Sequence, residues 1–128
     1  MALAWCFEDE ASGYADRVQD ALVDNTAFVP AIWALEVGNA LRLGERRQRL
    51  AGADLLRFVE MVCALPIMVD NPLIPRDLGP VLDLARTHDL TSYDASYLEL
   101  AAREGLALAT HDARLRAVAK RIGVRLLP

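Results

Sequence analysis

The segment LALATHDARLRAVAKRIGVRLL (residues 106–127) decides the fold class of this chain. Its first five residues, LALAT (106–110), form a short and mainly apolar run, which predicts a strand. Residues 112–122 follow with a helical pattern that closes at Gly123, and the mainly apolar segment VRLL (124–127) predicts a further strand. Strands that alternate with helices, and whose own residues do not alternate between polar and apolar, are typical of a parallel sheet buried on both faces. The segment therefore predicts an α/β fold.

The same alternation extends toward the N-terminus. Prolines, glycines and short polar runs separate the apolar segments, and no repeat or linker interrupts them. The pattern predicts strands at 27–30 and 67–69, a Pro-punctuated loop at 70–75, and helices at 2–8, 13–24, 31–48, 53–64, 76–88 and 92–104. With 128 residues, the chain is long enough to bury one core, and it is predicted to form a single domain spanning 1–128.

Composition predicts a cytoplasmic protein outside the membrane. Although 54% of the residues are hydrophobic, no apolar run approaches the roughly 18 residues of a membrane span. The apolar start has no basic region before it and is followed by three acids, unlike a signal peptide. Cys6 and Cys63 are isolated and lack metal-ligand spacing, as expected for free thiols in a reducing compartment.

The charge of the chain is unevenly distributed. A net charge of −4 argues against a protein that coats nucleic acid by bulk electrostatics. Arginines are nonetheless clustered, and arginine clamps phosphate well because its planar fork donates two hydrogen bonds. Local RNA contact and a GC-rich genome both explain these clusters, which comprise Arg42, Arg46, Arg47 and Arg49, and near the C-terminus Arg114, Arg116, Lys120, Arg121 and Arg125.

Three carboxylates occur where helices begin: Glu36, Asp94 and Asp112. Two of them have a structural explanation, because Thr91-x-x-Asp94 fits a capping box and Asp112 fits an N-cap. Glu36 lies among apolar neighbours, which is unusual for a solvated glutamate. Because the carboxyl ends of parallel strands meet at one sheet edge, the alternative is that all three converge there and hold Mg²⁺ or Mn²⁺. Two polar residues are expected near the same site, Asn39 and Thr110.

In order along the chain, three segments resemble PIN-domain ribonucleases, specifically the VapC-type toxins of bacterial toxin–antitoxin pairs. They are VPAIWALEVGNALR (29–42), LTSYDASYLELA (90–101) and LATHDARLRAVAKRIGV (108–124). The resemblance covers nearly the whole chain and implies a three-layer domain with a short parallel sheet flanked by helices. By position, Glu36, Asp94 and Asp112 match the metal-site acids of the family, and Asn39 and Thr110 match supporting polar positions.

The resemblance also implies a function. It predicts a Mg²⁺- or Mn²⁺-dependent endoribonuclease that hydrolyses RNA phosphodiesters through an activated water. A cognate antitoxin would neutralise it, and the toxin would be a homodimer. The apolar side chains of the 53–64 helix are candidates for the antitoxin groove, or else form a plain core face. A PIN nuclease of RNA or DNA processing, outside any toxin–antitoxin pair, is a further possibility.

The chain departs from the family pattern at its start. The family opens with a strand ending in Asp-x-Ser, whereas residues 1–5 match the helix after that motif. The resemblance therefore implies that the central first strand and the first metal-site Asp are missing, and the acids Glu8, Asp9 and Glu10 lie too far along the helix to replace it. Either the start is misassigned, or the chain is genuinely shortened. In the second case, a catalytically defective binding module that retains antitoxin or dimer surfaces is the alternative function.

Overall fold

A computed structural model describes residues 13–49, 51–70 and 78–127 of the chain. These residues form an α/β fold in which a short parallel two-stranded sheet is flanked by helices, as predicted. The predicted helix 2–8, residues 71–75 of the predicted loop and the first two residues of the predicted helix 76–88 lie outside the described residues. The elements are α1 (Gly13–Ala21), β1 (Ala27–Val29), α2 (Trp33–Arg46), α3 (Gly52–Ala64), β2 (Ile67–Val69), α4 (Leu78–His88), α5 (Ser92–Glu104) and α6 (Ala113–Arg121).

Helix ends follow local capping chemistry. The bounds of α5 agree with the predicted 92–104, because Thr91 caps its first turn and Gly105 ends it in the left-handed conformation (φ 65°). The predicted helix 13–24 is three residues too long, since the chain tightens into a turn after Ala21 and the Asn25 side chain donates to the Ala21 carbonyl. Helix α2 is shorter at both ends than the predicted helix 31–48. Beyond its C-terminal end, Gln48 adopts a positive φ of 57°. Within the described residues, no helix combines the length and apolar character that crossing a membrane requires.

The sheet is smaller than predicted. Strands β1 and β2 pair, with the Ala27 N–H donating to the Pro66 carbonyl at 2.9 Å and the Asp70 N–H donating to the Val29 carbonyl at 2.8 Å. The strands predicted at 106–110 and 124–127 are reduced to one parallel bridge between Leu108 and Leu126. Only the N–H and the carbonyl of Leu108 are used in that pairing, so it extends over a single residue on each side.

The described chain divides into two compact units. Unit 1 contains residues up to 27 together with 32–68. Its helices bury few large side chains: Val18 of α1, Leu41 of α2 and Phe58 of α3 are the largest buried apolar residues among those described in this unit. Helices α2 and α3 pack against each other. Unit 1 therefore has a thin core, and much apolar surface of α2 and α3 stays exposed.

Unit 2, residues 28–31 and 69 onward, has the larger core. Helix α5 packs against both α4 and α6. Leu98 of α5 is fully buried and lies in one cluster with the Leu108 bridge and the inner face of α6. A second cluster joins α4 and α5 through Val81, Ala85 and Ala95. The helices of unit 2 are thus held by apolar packing on both sides of α5.

Candidate functional site

The five predicted site residues fall in two units of the chain. Glu36 and Asn39 belong to α2 in unit 1, whereas Asp94, Thr110 and Asp112 belong to unit 2. Within the parts of the chain that the structure describes, no three His, Cys, Asp or Glu side chains are grouped as a metal site would need. The convergence of all three acids therefore stays a prediction, while the local geometry of each one is defined.

Asp94 lies in the first turn of α5 and is half-buried. Its N–H donates to the Thr91 hydroxyl oxygen at 3.1 Å, and the same hydroxyl donates to Asp94 Oδ2 at 2.8 Å. Thr91 therefore caps α5 as predicted, but the Asp94 carboxylate accepts from the Thr91 hydroxyl instead of the Thr91 N–H that a complete capping box would use. The cap occupies Oδ2 only, and Oδ1 has no hydrogen-bond partner among the described residues.

Asp112 is the N-cap of α6 and is exposed. Its Oδ1 accepts from the Leu115 N–H at 2.6 Å, which confirms the capping role predicted for it. The Asp112 N–H donates to Thr110 Oγ1 at 3.1 Å, and Arg116 Nη1 donates to the Thr110 carbonyl at 3.0 Å. Thr110 is thus tied to the first turn of α6 at both its side chain and its backbone. Oδ2 of Asp112 makes no hydrogen bond to the described chain.

In unit 2, both acids lie at the starts of helices that pack against each other. Asp94 is in the first turn of α5, Asp112 is the N-cap of α6, and α5 packs against α6. Helix α6 connects two segments that pair in parallel at Leu108 and Leu126, and a helix between parallel segments runs opposite to both of them. Asp112 therefore lies at the carboxyl end of the Leu108 segment.

Glu36 lies in the first turn of α2 and its side chain is exposed. The residue at the N-cap of this helix, Ile32, offers no side-chain hydrogen bond. A carboxylate in the first turn offsets the positive end of the helix dipole, so Glu36 has a structural role of its own. Asn39 is exposed one turn further along α2. Both polar side chains are accessible to solvent within unit 1.

The charge network around Arg103 was missed in the sequence. Arg103 of α5 contacts Glu99 Oε1 through Nε at 3.0 Å, Asp70 Oδ2 through Nη2 at 2.5 Å, and Glu104 through Nη1. Burial opposes a rise in its pKa, but the hydrogen bonds to Glu99 and Asp70 outweigh burial and raise the pKa of Arg103 above its usual value. The Glu99–Arg103 spacing is a local signal for an ion pair on a helix. No local sequence pattern predicts the contact between Arg103 and Asp70, because the two residues are 33 positions apart.

Comparisons with known proteins give the family and a structural relative. The PIN domain profile matches residues 2–121. The crystal structure of PAE2754 from Pyrobaculum aerophilum is similar, with 29% sequence identity and a TM-score of 0.57, over 73% of this chain and 86% of that one. No curated protein matches the sequence at a significant level. The match to the domain profile includes the positions of Glu36, Asp94 and Asp112.

Proposed function

The chain belongs to the PIN-domain family, whose members are generally nucleases, and on this premise we propose that it is a Mg²⁺- or Mn²⁺-dependent endoribonuclease. In this proposal, Glu36, Asp94 and Asp112 form the catalytic metal site, and Asn39 and Thr110 support it. The enzyme acts in the cytoplasm as the toxin of a toxin–antitoxin pair. The observation that carries the proposal is the pair of carboxylates at the starts of α5 and α6.

Asp94 and Asp112 have the chemistry that a hard divalent cation requires. Each uses one carboxylate oxygen to cap its own helix and keeps the other without a hydrogen bond to the described residues. The cap restricts the side-chain torsions, so the remaining oxygen is held in a defined direction. Mg²⁺ takes one or two carboxylates together with waters and substrate oxygens, so two oriented acids plus Glu36 suffice.

Bound at these acids, the cation would supply Lewis acidity toward a water nucleophile and neutralise the charge that builds on the phosphate. The protein residues contribute orientation. Thr91 fixes the Asp94 carboxylate, and the Leu115 N–H fixes that of Asp112. Thr110, held by the Asp112 N–H and by Arg116, keeps the loop before α6 in place. These are positioning contacts, and each one is independent of the cation.

The toxin role rests on the resemblance to VapC-type proteins and on the apolar surface of unit 1. Leu35 of α2 is 70% exposed and Leu56 of α3 is 64% exposed. Helices α2 and α3 pack against each other, so a partner that binds this part of unit 1 would find both leucines exposed. The 53–64 helix itself is mixed, because Phe58 is buried while Val59 is exposed. The proposed partners for such surfaces are a cognate antitoxin and a second copy of the chain.

The first test is the substitution Asp94→Asn. The amide keeps an oxygen for the Thr91 hydroxyl but removes the charge that binds the cation. RNA cleavage in Mn²⁺ should fall by at least about 100-fold, as expected when a ligand of a metal site is lost. Mn²⁺ binding, followed by electron paramagnetic resonance, should weaken in parallel.

Asp83→Asn is the matched control, since Asp83 is exposed on α4 of the same unit. It should leave cleavage unchanged. Cleavage by Asp94→Asn at the wild-type rate would reject the assigned site. A wild-type chain that binds an antitoxin but cleaves no RNA with either cation would instead identify a catalytically defective binding module.

A further inference from the structure

The three described helices of unit 2 are each followed by a residue in the left-handed conformation. After α5 and α6 this residue is Gly105 (φ 65°) or Gly123 (φ 79°), whereas after α4 it is Asp89 (φ 51°). In all three cases the next N–H donates to a carbonyl five positions earlier, and for α4 the Leu90 N–H donates to the Ala85 carbonyl at 2.8 Å. The helix ends are built alike, so the aspartate is the exception among them.

Local preferences do not favour an acid at position 89. Aspartate tolerates the left-handed region better than most residues, but glycine adopts it with no side-chain penalty. A carboxylate directly after α4 also meets the negative end of the dipole of that helix. Both effects make Asp89 less favourable at this position than a glycine would be.

The partner of Asp89 also lies in an unfavourable place. Arg114 Nη2 donates to Asp89 Oδ2, and the two residues are 25 positions apart. Arg114 is the second residue of α6, where the positive end of the helix dipole disfavours a cation. Each charge is therefore unfavourable in its own helix, and the contact between the two charges offsets both effects.

This ion pair joins the starts of the two helices that carry Asp94 and Asp112. Asp89 lies two residues before Thr91, the N-cap of α5, and two steps along the chain span at most about 7 Å. Arg114 lies two residues after Asp112, the N-cap of α6. The contact between Asp89 and Arg114 therefore keeps the first turns of α5 and α6 at the same end of the packed helix pair.

We propose that Asp89 and Arg114 are positioning residues, which hold the first turns of α5 and α6 together and thereby place Asp94 and Asp112 for a shared divalent cation. The inference rests on the proposed metal-dependent function and adds two residues that act through the acids. The helix caps orient each carboxylate within its own helix, and the ion pair constrains one helix start relative to the other. Because the two side chains are 96% and 57% exposed, the constraint is modest and sensitive to salt.

Mn²⁺ binding to the full chain, followed by electron paramagnetic resonance without RNA, tests the proposal. Asp89→Gly removes the acid, and Arg114→Met removes its partner. Both should weaken Mn²⁺ binding by about two- to fivefold, the range that an exposed ion pair supports. Net charge alone predicts opposite signs, because loss of the arginine would remove a repulsive charge and tighten binding. Tighter binding by Arg114→Met therefore overturns the proposal.

Stability measurements separate positioning from general destabilisation. Asp89→Gly places the usual residue at a left-handed helix end, so its urea midpoint should equal or exceed that of the parent while Mn²⁺ binding weakens. Arg114→Lys should bind Mn²⁺ nearly as tightly as the parent, because the pair uses the single nitrogen Nη2 and needs no planar fork. A fall in the urea midpoint of Asp89→Gly that matches its loss of Mn²⁺ binding would leave Asp89 a structural role only and overturn the proposal.

Asp83→Asn and Arg121→Met are the matched controls. Each removes one exposed charge of the same sign from α4 or α6, away from the ion pair, and both should bind Mn²⁺ like the parent. Combining Asp89→Gly with Arg114→Met should weaken binding no more than either single variant, because one contact is lost only once. Additive losses, or equal losses in the controls, would mean that the two residues act independently and would overturn the proposal.

The parent chain separates this proposal from the function beneath it. If Asp94→Asn weakens Mn²⁺ binding but the Asp89 and Arg114 variants do not, the positioning role is wrong and the metal site stands. If the parent binds no Mn²⁺, the metal site is wrong, and hydrogen exchange of the Leu115 N–H, measured by NMR in the metal-free chain, decides the role of the ion pair. This N–H donates to Asp112 in the first turn of α6. Faster exchange in both variants supports the ion pair as the link between the helix starts, and unchanged exchange overturns it.

Discussion

Helices α5 and α6 are consecutive, pack on one core and begin with similar caps. They differ in whether their basic side chains are paired with acids. In α5, the guanidinium of Arg103 forms ion pairs with Glu99, Glu104 and Asp70. In α6, Arg114 pairs with the exposed Asp89, and Lys120 and Arg121 make no ion pair within the described residues. The guanidinium of Arg103 is paired within unit 2, whereas Lys120 and Arg121 of α6 are exposed. The presence of basic residues on a helix therefore says little about their role until their partners are known.

The largest effect is expected from a substitution in the core that α5 and α6 share. Leu98 of α5 is fully buried against the inner face of α6. Leu98→Ala should lower the free energy of unfolding by about 2–5 kcal/mol, because a lost leucine side chain leaves a cavity that the core fills only in part. Urea denaturation followed by far-UV circular dichroism measures the change.

Leu106→Ala is the control for that substitution, because Leu106 lies just after α5 and is 41% exposed. Its cost should be under about 1 kcal/mol, as for surface positions generally. Equal costs for the two leucines would mean that α5 and α6 do not share the core that the burial of Leu98 indicates.

Two substitutions of Asp112, expected to have the next largest effect, distinguish its capping role from its proposed metal role. Asp112→Ala removes the acceptor for the Leu115 N–H and should cost about 1 kcal/mol of stability. Asp112→Ser restores a good N-cap without a carboxylate, so its stability should stay within a few tenths of a kcal/mol of the parent. Both variants should lose Mn²⁺-dependent RNA cleavage, measured alongside urea denaturation. Normal RNA cleavage by the serine variant would mean that Asp112 acts only as a helix cap.

The parts of the fold that sequence predicts well are those fixed by neighbouring residues. Thr91 and Gly105 define α5 because a hydroxyl cap and a left-handed glycine act within one turn. The pairing of the segments 106–110 and 124–127 depends on contacts across the fold, and only the Leu108–Leu126 bridge forms. Apolar composition indicates that a segment is buried, but it does not say how many residues will pair.

The same distinction applies to the candidate site. The caps at Asp94 and Asp112 were predictable from the spacing of Thr91 and from the position of Asp112 before a helix. Their union with Glu36 depends on long-range folding that no local spacing encodes, and it stays a prediction. The Arg103–Asp70 contact was missed for a related reason, since its two residues are far apart in sequence.

The smallest effects are expected from replacing one basic residue in each helix, Arg103 of α5 and Arg121 of α6. Arg103→Met keeps the aliphatic stem but leaves Glu99, Glu104 and Asp70 close together without their cation. Because the Arg103 side chain is 43% exposed, solvent screens the network, and the loss of unfolding free energy should be about 1 kcal/mol or less. Arg121→Met should change stability by no more than a few tenths of a kcal/mol, as for an exposed residue away from any network.

The dependence of the Arg103→Met effect on salt and pH tests whether Arg103 acts through its charge. Added salt should shrink the Arg103→Met effect, since screening weakens charge pairs that solvent reaches. The pKa of Arg103 is raised in the folded protein by its hydrogen bonds to Glu99 and Asp70, against the opposing effect of burial. A cation with a raised folded-state pKa stabilises fully below its unfolded pKa, and the contribution is lost only as pH rises through the folded value. For an arginine that window lies at strongly alkaline pH, so titration of Arg103 itself should leave the effect constant from neutral to mildly alkaline pH. A loss that disappears between pH 7 and 9 (about two units, well below the ordinary pKa of arginine) would show that Arg103 stabilises α5 by something other than its charge.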